Sequence, residues 1–206
     1  MFDWHLALGV VGGLLAFASI IPYIKDILHG TTRPNVVSYS LWAALLSISM
    51  LAQLSSGASW SIVFLLGDLL AVFAVIVLCT MGYGYGKYGK LEWVCTALAI
   101  IAVVLWQVTS EPLLAIIFAL IADILAGIPT VVKTYRDPKS EIPIGWFMVA
   151  AGAVLGIISN TVFDLANMLF PVYVLIINTT VGTLALRGEI SLEKIKWPVI
   201  QYFYTN

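Results

Sequence analysis

Apolar runs of roughly twenty residues alternate with short polar breaks along almost the whole chain. Runs long enough to cross roughly 30 Å of hydrocarbon as helix fall at 5–28, 36–56, 59–81, 92–109, 112–134, 143–163 and 168–187. The breaks carry turn chemistry: His29-Gly30 with Arg33-Pro34, Ser55-Ser56-Gly57, the glycine-rich MGYGYGKYGK, Ser110-Glu111-Pro112, Asp137-Pro138 and Phe163-Asp164. Gly and Pro at such points end helices. The pattern predicts an all-α integral membrane fold with seven transmembrane helices.

Two segments read as copies of one another. IPYIKDILHGTTRPNVVSYSLW begins at Ile21, and IPTVVKTYRDPKSEIPIGWF begins at Ile128. Each follows an apolar run, opens on Ile-Pro, passes through a basic stretch and a turn, and enters another apolar run near a Trp. A duplicated hydrophobic unit marks transporters built from internal repeats. Spans 1 and 5 differ by four crossings, so they point the same way. Spans 1–3 and 5–7 are therefore expected to form two parallel three-helix bundles. Span 4 links them, because an odd-numbered unit needs one extra crossing before it can repeat in the same orientation. The expected organisation is a first repeat at 1–81, a loop plus linker helix at 82–110, a second repeat at 111–188 and a tail at 189–206.

Composition agrees with a bilayer environment. Of 206 residues, 61% are hydrophobic and 10% charged, too little charge to cover a soluble domain. A net charge of −1 gives no basic excess for nucleic acid. Cys79 and Cys95 lie in apolar runs, which argues against a disulfide framework or a metal site. No nucleophile elbow, HExxH or phosphate loop is present, so neither an enzyme nor a cofactor is expected. The N-terminus lacks the basic start and cleavage site of a signal peptide, and the first helix is expected to be retained.

The ten Lys and Arg residues orient the spans. Lys25 and Arg33 flank the first loop, and Lys87 and Lys90 the third. Lys133, Arg136 and Lys139 fall in the fifth loop, and Arg187, Lys194 and Lys196 in the tail. Seven spans put all of them on one side. The positive-inside rule then places the N-terminus outside and the C-terminus in the cytoplasm. The short loops suit a cell inner or plasma membrane. The expected partners are a small-molecule substrate and the lipid bilayer, and a homo-oligomer is compatible with the chain.

The 3+1+3 pattern, with a proline near the cytoplasmic end of spans 1 and 5, resembles the SWEET and PQ-loop (MtN3-like) transporter superfamily. The PQ-loop equivalents read Pro22-Tyr23 and Pro129-Thr130. SWEETs are similar in carrying a proline in each of spans 1, 2, 5 and 6. Pro22, Pro129 and Pro143 match, while Ser38 stands in span 2. The resemblance implies alternating access by a parallel-repeat transporter, with sugar-binding Asn residues on spans 3 and 7. Those positions hold Asp68 and Asn178. The family's pocket tryptophans correspond to positions near Ser49 and Ile157.

Asp68, Asp123 and Asn178 each lie about nine to eleven residues into a span, near the bilayer midplane at 1.5 Å per residue. A carboxylate at that depth costs roughly 2.5–3.5 kcal/mol, so it normally faces the bundle interior or a water-filled cavity. No Lys or Arg shares the depth. Such a carboxyl is a candidate proton carrier, and it also suits a hydroxylated or cationic substrate. The plainer reading is a protonated Asp bonded to a neighbouring helix. Asn178 either binds substrate or joins helices. Thr179 and Thr180 are expected to bond back to their own helix. Gln53 and Asn160 occupy matching outer-end positions in spans 2 and 6, where amides line a vestibule or simply end a helix.

Pro22 and Pro129 each remove one backbone hydrogen bond and crowd the carbonyls of Ala18 and Leu125. They act as hinges of a gate or as static kinks, and the family pattern adds Pro143 to the gate set. Trp42 and Trp146 hold matching early positions in spans 2 and 6, as an inner gate or an interfacial belt. Gly9 with Gly13, and Gly152 with Gly156, allow close helix packing. Together these features predict a secondary transporter for a small polar solute. Sugar uniport and proton-coupled movement of an amino acid both remain open. A seven-helix receptor or sensor and a vitamin or nucleoside facilitator are the alternatives.

Overall fold

The structure is a computed structural model that describes residues 3–30, 34–57, 60–84, 86 and 89–189, with the main chain alone at 91, 92, 129 and 189. Arg33, Lys87, Lys194 and Lys196 therefore lie outside the described residues, as does the tail from 190 onward. The elements are α1 (Trp4–Ala18), α2 (Ile20–Leu28), α3 (Val36–Ser55), α4 (Ser61–Leu78) with a π turn at Cys79–Tyr83, α5 (Lys90–Thr109), α6 (Pro112–Arg136), a 3-10 turn at Pro138–Ser140, α7 (Pro143–Ile158) and α8 (Leu165–Glu189). No strand occurs among the described residues.

Helix ends follow from local chemistry. The Asp3 carboxylate accepts from the amides of His5 and Leu6 at the start of α1, and Asn35 accepts from the Val37 amide at the start of α3. Such caps satisfy donors that have no partner within a helix. Asp164 Oδ1 accepts from the Asn167 amide at 2.8 Å, and α8 consequently starts at Leu165, earlier than its apolar run suggests. Gly82, at φ 95°, turns the chain out of α4 in a conformation that favours glycine. The expected sixth span reaches 163, but α7 stops at Ile158, where Ser159 Oγ donates to the Gly156 carbonyl.

Among the described residues, five segments are long and apolar enough to cross a membrane: Trp4–Leu28, Val36–Ser55, Ser61–Tyr83, Pro112–Arg136 and Leu165–Gly188. Trp93–Thr109 and Pro143–Ile158 are shorter apolar helices. Only 33–44% of each long segment's most apolar window is buried. Leu14, Val77, Val108 and Ile176 are among the apolar side chains left exposed. Apolar outer faces of this kind are compatible with an integral membrane protein.

The helices pack in a closed order. α1 lies against α4 and α7, α4 against α3, α3 against α6, α6 against α8, and α8 against α7. α5 sits outside this ring, on α6 and α3. Glycines set the tightest approaches. A Cβ built on Gly67 would stand 2.1 Å from the Gly13 carbonyl oxygen, and one on Gly152 would stand 2.6 Å from that of Gly12. α1 therefore meets α4 and α7 nearly backbone to backbone. Phe64, fully buried, fills the space beside Gly152 and Gly156.

The prolines act differently from one another. Pro22 has no N–H to give the Ala18 carbonyl, and the helix breaks at Ser19, between α1 and α2. Ser19 Oγ donates to the Ala16 carbonyl at 2.6 Å in that bend. α6, by contrast, runs unbroken through position 129; the Pro129 side chain is outside the described residues. Pro143 opens α7 at its first turn, where an amide has no intrahelical partner. It starts a helix instead of bending one. Pro171 lies inside α8 and frees the Asn167 carbonyl, to which Asn160 Nδ2 donates at 3.4 Å.

Candidate functional site

A cavity of about 170 Å³ lies among α2, α3, α4, α6, α7 and α8. Asp68, Asp123 and Asn178, each near the middle of its helix, all line it. The rest of the lining shows which way it extends. Tyr23 follows the α1–α2 break, Tyr39 and Trp42 lie early in α3, Thr130 lies late in α6, and Glu141 and Trp146 stand at the start of α7. The cavity therefore runs from mid-depth toward the bundle end that carries Lys25, Lys133 and Arg136. The opposite end is filled: Gln53, Ser61, Ser159, Asn160 and Asn167 are all buried there.

Asp68 and Asp123 are half-buried. Both line the cavity, so their exposure is to its interior. The two carboxyls lie within electrostatic range of each other, and Asp123 also acts on the Tyr173 phenol. Neither carboxylate has a cationic partner among the described lining residues. Asn178 is 8% exposed and donates through Nδ2 to the Val174 carbonyl at 2.8 Å. That bond holds the amide in place and leaves Oδ1 and the second N–H of Nδ2 unengaged among the described residues. Thr180 bonds back to Ile176, as its position in the helix suggests.

Aromatic rings form the wall between this polar depth and the open end. Tyr23 and Tyr39 stack at 6.1 Å between ring centroids, and their hydroxyls are hydrogen-bonded. Tyr39 meets Trp42 edge-on at 5.1 Å. On the opposing side Trp146 Nε1 donates to Glu141 Oε2 at 3.2 Å, and Lys133 Nζ pairs with the other Glu141 oxygen. Lys133, at the end of α6, thereby fixes the Trp that opens α7.

Three expected site residues stand apart from the cavity. Ser49 is fully buried in α3, with no hydrogen-bond partner for Oγ. Asn160 is taken up in the α7–α8 corner by the carbonyl that Pro171 frees. Pro143 lies buried at the head of α7. Pro22, Trp42 and Trp146 do line the cavity.

Glu141, Tyr23, Tyr39 and Tyr173 are additions that the residue pattern did not bring forward. A signal for the last existed. Phe170, Tyr173, Val174, Ile177, Asn178 and Val181 all line the cavity, at the three- and four-residue spacing of one helix face. Reading that face outward from Asn178 reaches Tyr173. Glu141 carried no such signal, because only the 3-10 turn brings it back to Lys133.

Comparison with protein-family models, curated proteins and solved structures finds no match.

Proposed function

We propose that this chain is a secondary transporter that moves a small polar solute across a membrane by alternating access. The observation that carries the reading is the cavity itself. It brings the polar residues from the middles of three apolar helices to one space that is open toward one end of the bundle and closed at the other. Intramembrane carboxylates in such a position mark solute or proton pathways. Transporter sites lie near mid-depth, at the interface between repeats.

The packing order supports the parallel-repeat reading. Numbered as spans 1–7, with α1 and α2 together as span 1, the ring runs 1–3–2 and then 5–7–6. Both halves have the same internal order, and a two-fold operation exchanges them. Their two contacts, span 2 with span 5 and span 6 with span 1, are equivalent under that operation. The proposed architecture is therefore 3+1+3, with α5 as the linker and the site between the bundles. With the basic loops taken as cytoplasmic, the N-terminus is outside and the cavity faces inward.

The break at Ser19 gives one bundle a bend beside the cavity, and rocking of one bundle against the other closes this end as the far end opens. The test is solute flux in proteoliposomes with a panel of sugars, amino acids, nucleosides and amines. Saturable flux or counterflow of a solute that binds supports transport. Binding without flux of any bound solute replaces it with a receptor on the same scaffold.

A further inference from the structure

The cavity's chemistry selects among solute classes, and the inference drawn from it rests on the transport reading only for the direction in which the ligand moves. Its polar lining is rich in acceptors. Of its donors, Trp146 Nε1 and Ser19 Oγ are engaged by Glu141 and Ala16 and one N–H of Asn178 Nδ2 by Val174; the Trp42 indole and the Thr130 and Tyr173 hydroxyls also line the space. The carboxyls of Asp68 and Asp123 line the space without a cationic partner among the described lining residues, and Asn178, also in the lining, has an Oδ1 that accepts no hydrogen bond among the described residues. An ionised carboxylate accepts and cannot donate. A neutral sugar leaves the charge of two carboxylates, which have no cationic partner among the described lining residues, uncompensated. A ligand with positive charge complements them.

The walls agree with this. Tyr23, Tyr39, Trp42, Trp146, Phe170 and Tyr173 all line the cavity. Faces of Trp and Tyr attract a cation within about 6 Å of the ring centroid and suit alkylated ammonium groups in particular. The volume, about 170 Å³, is below the roughly 300–1,000 Å³ of sites that hold drug-sized ligands, so the ligand is small. Asn178 provides an independent sign of a ligand: a side chain more than nine-tenths buried, in the cavity wall, with Oδ1 unpartnered among the described residues.

We infer that the cavity binds a small monovalent organic cation, an amine or quaternary ammonium, in competition with protons for the Asp68 and Asp123 carboxyls. The titratable groups facing the site are Asp68 on α4, Asp123 on α6, Glu141 before α7, Tyr23 on α2, Tyr39 on α3 and Tyr173 on α8. Glu141 is engaged by Lys133, and the phenols stay neutral over the physiological range. The two aspartates are therefore the groups through which proton and cation exclude one another. In a transporter, the same competition yields exchange: cation entering from one side releases the proton that the carboxyls carried from the other.

The experiment uses the purified full-length protein and isothermal titration with methylammonium, tetramethylammonium and choline. 3,3-Dimethyl-1-butanol serves as the uncharged isostere of choline, and glucose as a neutral polyol. At least one cation is expected to bind, and at least tenfold more tightly than the isostere. Its affinity is expected to fall with decreasing pH, by up to tenfold per unit for each proton displaced. Asp68→Asn and Asp123→Asn should each weaken binding at least tenfold, and Asp68→Glu should restore the pH-dependent binding. If one Asn variant does not fold, the wild-type pH profile and the charged–uncharged comparison decide the matter.

Absence of binding by all three cations overturns the inference. So does equal binding of the isostere, or cation affinity that is flat with pH. The transport reading fails separately. Cation binding without flux in proteoliposomes keeps this inference and removes transport, whereas glucose flux without cation binding does the reverse.

Discussion

Replacing Gly67 and Gly127 by alanine should move stability in opposite directions, although both glycines lie within helices. In a helix interior, Gly→Ala carries an intrinsic gain of about 1 kcal/mol. At Gly127 the new Cβ meets Ile177 Cδ1 and the Tyr173 hydroxyl at 3.6 Å, an ordinary contact, so the gain should survive. At Gly67 the Cβ arrives 2.1 Å from the Gly13 carbonyl oxygen and 2.6 Å from its carbonyl carbon. Both are backbone atoms of α1, so no side chain can turn aside. Restoring ordinary contact requires α1 and α4 to separate by about 1 Å, and a gap of that size forfeits a quarter to a half of each dispersion contact across it. Overpacking costs typically 1–3 kcal/mol, and this site, with backbone on both sides, belongs at the upper end. The net expectation is a loss of about 2 kcal/mol for Gly67→Ala and a gain of up to about 1 kcal/mol for Gly127→Ala. At roughly 2–4 °C per kcal/mol for a chain of this size, Tm in detergent should fall by about 4–8 °C in the first and rise by about 2–4 °C in the second. Equal shifts in the two variants, or a stabilised Gly67→Ala, would refute the close α1–α4 approach on which the Asp68 position depends.

Asp68→Asn should remove or flatten any pH dependence of solute binding while leaving Tm within a few degrees; an unchanged pH profile would take Asp68 out of proton exchange. Asn160→Ala should lower stability by about 1–3 kcal/mol, because it leaves the Asn167 carbonyl unpaired beside Pro171. Its effect on ligand affinity should be small, and a tenfold loss of affinity would restore Asn160 to the site. Lys133→Ala should alter the fluorescence of Trp146 by releasing Glu141, and should lower stability by about 1–3 kcal/mol, because the Glu141 side chain is only 10% exposed and loses its charged partner. A tag at the N-terminus should be reached by impermeant reagent from outside intact cells and one at the C-terminus only after permeabilisation; the reverse labelling would invert the proposed topology.

Much of the helical framework was legible in the residue pattern because hydrophobic length and turn chemistry are local properties. α3, α6 and α7 begin at or next to the residues where their apolar runs begin, since Asn35, Pro112 and Pro143 are start signals read without tertiary context. The cavity trio was legible for an energetic reason: a carboxylate in the middle of an apolar helix must face a polar space, which singles out Asp68 and Asp123. What the pattern left open is which helix faces meet. Ser49 and Asn160 are polar residues in apolar surroundings like Asn178, but α3 turns Ser49 away from the cavity and the Asn167 carbonyl, freed by Pro171, engages Asn160. The repeat also suggests equal behaviour for Pro22 and Pro129. Only α1–α2 breaks, at Ser19, whereas α6 continues. Proline removes a hydrogen bond in either case, and the packing around it decides whether the helix bends.

The measurement that bears most directly on the account is counterflow of a bound solute in proteoliposomes, comparing wild type with Asp68→Asn and Asp123→Asn at matched protein density. Saturable exchange in wild type, reduced at least tenfold in both variants, is the predicted result. A solute that binds the purified protein in this cavity but shows no counterflow, or flux that is indifferent to both aspartates, would contradict it.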